Sequence, residues 1–84
     1  MKPIKLLEIG LGCNMNYGAG KSVKVWRELF IHPRFQLWEA EFDEACARKH
    51  HNSSEYSLLV GDQGDVATLN RWVEESGGKF DIII

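Results

Sequence analysis

The chain has 84 residues, 44% of them hydrophobic, and ten basic against twelve acidic side chains leave a net charge of −2. That suffices for one small globular unit, and because neither charge sign clusters, nucleic acid and membrane surfaces are not the expected partners. No apolar stretch is long enough to span a bilayer, and the opening MKPIKLLEIG lacks the apolar core of a secretion signal.

Residues 4–9 (IKLLEI) form a short apolar run ending at glycines, the pattern of a buried parallel strand. A Gly/Asn-rich loop follows from Gly10 to about Lys21. Val23, Trp26, Leu29 and Phe30 then recur at helical spacing, which predicts a helix over 22–30, closed by His32-Pro33. Residues 35–41 (FQLWEAE) predict a second strand, and Asp43 an N-cap for a helix running to about His50 with Ala45 and Cys46 inward. HNSSE is a loop, and residues 56–60 (YSLLV) a third strand ending at Gly61. Asp65 can cap a third helix in which Val66, Leu69 and Val73 share a face, with Gly77-Gly78 as its stop. Residues 80–84 (FDIII) begin a fourth strand.

Strict alternation of strand and helix implies a parallel sheet with helices packed on its faces. Ligands of such sheets bind beyond the carboxyl ends of the strands, so the residues that follow each strand are the ones to read. An apolar run begins at position 4 and another is in progress at Ile84. A domain seldom stops inside a strand whose edge still needs a partner, so the expectation is one partial domain over 1–84.

Three loop chemistries compete for EIGLGCNMNYGAGKS, residues 8–22. Gly20-Lys21-Ser22 suggests a phosphate-binding P-loop for ATP, but the glycine that such a loop needs five residues earlier is Met15. Gly10 and Gly12 begin a dinucleotide fingerprint for NAD, whose third position, again Met15, is neither Gly nor Ala. The third pattern is an acid followed by G-x-G directly after the first strand, and Glu8-Ile9-Gly10-Leu11-Gly12 fits it throughout.

On these residues the chain resembles class I S-adenosylmethionine-dependent methyltransferases. It is similar in particular to the macrocin O-methyltransferase-like and cephalosporin hydroxylase-like group, whose first helix carries a G-x-S-hydrophobic-x-x-W pattern like Gly20-Lys21-Ser22-Val23-Lys24-Val25-Trp26. The resemblance implies a Rossmann-like three-layer α/β sandwich, the N-terminal half of the methyltransferase fold, with strand order 3-2-1-4. It implies that Glu8 holds the methionyl amine, while Gly10 and Gly12 let the backbone approach the cofactor without a Cβ in the way. An acid after strand two can accept from ribose hydroxyls; Glu41-Phe42-Asp43 matches the group's acid–hydrophobic–Asp pattern, which assigns Glu41 to the ribose and Asp43 to the helix cap. Glu39, two residues earlier on the same strand face, could share the ribose or take it. Asp62 matches the acid that meets the adenine amino group, with Gln63 beside it.

The other conspicuous residues carry no mechanism. His50 and His51 sit at a helix end without a third metal ligand, and no metal is expected. Trp38 could flank adenine, with core packing the simpler role, and Trp26 and Trp72 fall on helices as core or rim. The two cysteines, Cys13 and Cys46, are too few and too scattered for a disulfide framework or a zinc site, so a reduced, cytoplasmic setting is expected. Asn14, Met15, Asn16 and Tyr17 lengthen the glycine loop. Taken together, the expectation is the cofactor-binding half of a methyltransferase that, at full length, methylates a small-molecule acceptor through oxygen, with no catalytic residue in these 84 and little activity by themselves. A non-catalytic truncated fragment or interaction module, and a nucleotide-binding domain for NAD or ATP, are the alternatives. The residues do not speak to oligomeric state.

Overall fold

A computed structural model describes residues 3–13 and 18–84. Asn14, Met15, Asn16 and Tyr17, the part of the glycine loop read as an extension, lie outside the described residues. The chain runs β1 (Lys5–Ile9), α1 (Lys21–Leu29), β2 (Gln36–Glu41), α2 (Glu44–His50), β3 (Ser57–Val60), α3 (Val66–Ser76) and β4 (Ile82–Ile83). All pairings are parallel, as the alternation of strand and helix predicts, and the strand order is β3-β2-β1-β4, the Rossmann-like order that the resemblance implies. β1 lies opposite β2 from Lys5–Gln36 to Ile9–Ala40, which brings Glu8 level with Glu39.

Period-two alternation divides the strands between two cores. On one face Leu6, Phe35, Leu37 and Tyr56 bury against Val23 of α1 and Leu11, with Trp26 and Phe30 packed around them. On the other, Leu7, Ala40 and Leu59 bury against Trp72 of α3, with Trp38 and Phe80 beside them. α2 lies against β3. The caps follow the sequence: Asp43 accepts from the Cys46 amide at 3.1 Å, Asp65 accepts from Ala67 at 3.0 Å, and Gly77 ends α3 in the left-handed conformation.

Several inward faces differ from the expected ones. In α3 the buried residues are Thr68, Trp72 and Ser76, while Val66, Leu69 and Val73 are 70%, 40% and 57% exposed. Small Thr68 and Ser76 flank Trp72 along this buried stripe, and the indole Nε1 donates to the Val60 carbonyl at 3.1 Å. The valine stripe points elsewhere. In α1, Leu29 is exposed, and in α2 the buried residue is Ala47, with Ala45 exposed. Lys5 has a role that no local pattern announces. Its Nζ donates to the carbonyls of Ser76 and Gly78 and lies over the Phe80 ring, so a β1 cation neutralises the C-terminal end of α3.

Cys13 and Cys46 form a disulfide with their Cα atoms 6.1 Å apart, which corrects the expectation of two separate thiols. They are 33 residues apart in sequence, and only the parallel pairing of β1 with β2 brings the loop after one strand beside the helix after the other. No helix among the described residues is long and apolar enough to cross a membrane.

Candidate functional site

A cleft of about 470 Å³ opens at the carboxyl ends of β1, β2 and β3, where the fold class places ligands. Ile9, Gly10, Gly12 and Cys13 line it from β1 and its loop; Ala40, Glu41 and Phe42 from the end of β2; Gly61, Asp62 and Gln63 from the end of β3; and Trp72 from α3. Five of the six residues read from sequence as cofactor contacts, Gly10, Gly12, Glu41, Asp62 and Gln63, therefore share one cavity. They come from three segments that only the sheet assembles.

The backbone at Gly10 and Gly12 has φ of +100° and +93°, a region that residues with a Cβ rarely enter. A Cβ built on Gly10 would have no atom of the described residues within 4 Å, so among them nothing fills the space beside this glycine. Gly61, at φ +143°, is constrained from the other side: a Cβ there would sit 2.6 Å from Thr68 Cγ2.

Glu41 is buried at 8% exposure and organises the loops around it. Its Oε1 accepts from the Leu11 amide at 3.0 Å and its Oε2 from the Asp43 amide at 2.8 Å, so one carboxylate ties the glycine loop to the start of α2. Each oxygen keeps a further lone pair for a donor arriving in the cleft, such as a sugar hydroxyl. Asp62 is exposed, and its Oδ1 accepts from Gly64 at 2.8 Å in a side-chain turn. The turn role and a ligand role coexist, because a carboxylate has two oxygens. Phe42, 72% exposed at the rim, presents an apolar face on which a planar ring can stack, a contribution not anticipated from the sequence.

Glu8 stands apart from the cleft lining. Its Oε1 accepts from the Ser22 hydroxyl at 2.5 Å, which turns the β1 acid toward the first turn of α1. Beside it in register, Glu39 is completely buried and neither of its oxygens meets a hydrogen-bond partner among the described residues. Loss of water, with Glu8 alongside, pushes the Glu39 carboxyl up to about 10, so it is a neutral acid at neutral pH. Tyr56 on the same face is raised as well, by burial and then by Glu39, and its hydroxyl donates to the His50 carbonyl at 2.9 Å. Glu39 shares a strand face with Glu41, as period two requires, but it does not line the cleft.

Trp38 lies on the opposite face, edge-on to Phe80 with ring centroids 6.5 Å apart, and so belongs to the core beneath α3. His51 Nε2 lies 3.0 Å from the Tyr56 carbonyl, and no group of three or more His, Cys, Asp or Glu among the described residues is placed to hold a metal. Lys21 starts α1 without lining the cleft. Comparison with protein-family models, curated proteins and solved structures returned no significant match.

Proposed function

We propose that this chain is the cofactor-binding half of an S-adenosylmethionine-dependent methyltransferase that acts, at full length, on an oxygen nucleophile of a small molecule. The observation that carries the reading is the convergence of Gly10 and Gly12, Glu41, and Asp62 with Gln63 on one cleft at the ends of three adjacent parallel strands.

The residues fit the cofactor. A positive-φ glycine with no atom of the described residues filling the space beside it suits close approach of a methionyl chain. The preorganised Glu41 carboxylate suits a ribose diol, and a carboxylate at Asp62 suits the exocyclic amine of adenine, with Phe42 at the rim to cover the ring. Acids at two of the three strand ends suit a cofactor that carries no phosphate and bears a positive sulfonium. When bound, the cofactor supplies an electrophilic methyl group for in-line displacement by the acceptor. What this chain contributes is position: holding the cofactor fixed so that the acceptor meets it in line. The nucleotide alternative asks Lys21 to face a phosphate in the cleft, and Lys21 is not among its lining residues.

Calorimetric titration with S-adenosylhomocysteine, NAD and ATP in parallel tests the reading. The expected result is binding of S-adenosylhomocysteine in preference to the other two. Asp62→Ala, which removes an exposed side chain, should weaken it by about tenfold, or about 1.4 kcal/mol. Tighter binding of NAD or ATP would contradict the assignment.

A further inference from the structure

We propose that the Cys13–Cys46 disulfide is a redox latch on the cleft: its oxidised form holds the Glu41 clamp closed, and its reduction to two thiols loosens the glycine loop and weakens ligand binding. The ligand part of this inference rests on the cofactor reading above; the latch itself does not.

The case is geometric. Cys13 directly follows Gly12 and lines the cleft. Cys46 lies in the first turn of α2, where its amide donates to the Asp43 cap. Between these two points Glu41 accepts from Leu11 on the loop side and from Asp43 on the helix side. The disulfide and the carboxylate are thus two parallel ties across the same gap, one covalent and one made of two hydrogen bonds. With the covalent tie in place, the loop end cannot move away and the Leu11 amide stays within reach of Glu41. Without it, Leu11 stays anchored by its buried side chain and by the Gly20 amide on its carbonyl, but Gly12 and Cys13 lose their covalent tie to α2. Only the two Glu41 hydrogen bonds then join loop to helix, so a loop end that must be ordered again on binding costs affinity.

The bond is also open to exchange. Both cysteines are partly exposed, and Cys13 is reached from the cleft. A thiolate of a dithiol reductant attacks the Cys13 sulfur, the S–S bond breaks, and Cys46 leaves as a thiolate that takes up a proton. The reductant's second thiol then closes on the first, expelling Cys13 as a second protonated thiol. Two electrons and two protons pass to the protein, and the reductant ends as its own disulfide. No other cysteine in the chain competes for either partner.

The test is amide hydrogen exchange, read by NMR on the oxidised protein, on the protein held in dithiothreitol, and on Cys46→Ser. Exchange at the Leu11 and Asp43 amides should accelerate about tenfold or more on reduction and in Cys46→Ser, while the amides of the β1–β2 ladder keep their protection. S-adenosylhomocysteine should bind about tenfold more weakly to the reduced form, as expected if the closed loop is then populated about a tenth of the time. Unchanged exchange at Leu11 and Asp43 overturns the latch, whatever the ligand does. Equal loss of protection across the ladder also overturns it, because the disulfide would then hold the whole fold and not the loop. Faster loop exchange with no binding in either state leaves the latch standing and removes the cofactor reading.

Discussion

Replacing Glu39 by Gln should stabilise the protein at neutral pH, an unusual outcome for a buried polar position. Glu39 is fully buried with neither oxygen partnered, and burial plus the neighbouring Glu8 raises its carboxyl from an ordinary 4.5 to about 10. The folded state therefore keeps the proton while the unfolded chain releases it above about pH 4.5. The fold binds one more proton than the unfolded chain between those values, so stability is fullest below pH 4.5 and falls as pH rises toward 10. The slope is about 1.4 kcal/mol per pH unit, and the 2.5 units from 4.5 to 7 amount to about 3 kcal/mol. Glutamine has the shape of the protonated acid and no proton to lose, and its amide can donate to Glu8. Thermal melts of wild type and Glu39→Gln between pH 4 and 9 should coincide near pH 4 and diverge upward, with the variant more than about 10 °C higher at pH 7. Parallel melting curves at every pH would refute the claim that this carboxyl is held neutral by burial.

Trp72→Ala should cost about 3–5 kcal/mol in urea denaturation, because Trp72 anchors α3 to the sheet, whereas Val73→Lys should fall within about 0.5 kcal/mol of wild type. The reverse order would mean that α3 packs through its valine stripe. Gly61→Ala should lower the melting midpoint by the equivalent of at least about 1 kcal/mol, since its Cβ would meet Thr68 at 2.6 Å from a backbone at φ +143°. A neutral result there would show that β3 ends with room to spare.

The fold was legible because each element carries its own period and stop signal. Leu6 and Leu7 alternate between the two cores, Asp43 and Asp65 cap as their positions suggest, and Gly77 stops α3. Five cleft residues were legible for a related reason: in a parallel sheet the residues just after successive strands converge, so Gly10, Gly12, Glu41, Asp62 and Gln63 follow once the strands are placed. What escaped the sequence depends on relations between segments. Val66, Leu69 and Val73 keep helical spacing as faithfully as Thr68, Trp72 and Ser76 do. Only the size of the indole and its bond to the Val60 carbonyl decide which stripe turns inward. The Cys13–Cys46 pairing and the Lys5 contact with the end of α3 span 33 and more than 70 residues, and no local pattern encodes them. Glu8 and Glu39 look like surface acids in sequence. In the fold the two stand side by side in register, and Ser22 at the start of α1 takes the Glu8 carboxylate.

The most direct test of the central claim is an amide proton–nitrogen correlation spectrum recorded while S-adenosylhomocysteine is added. Shifts confined to the Gly10–Gly12 loop, Glu41 and Phe42, and Asp62 and Gln63 are the expected result, with the response lost in Glu41→Ala. A dispersed spectrum that ignores the ligand, or shifts that cluster on β4 and the exposed face of α3 instead, would contradict it.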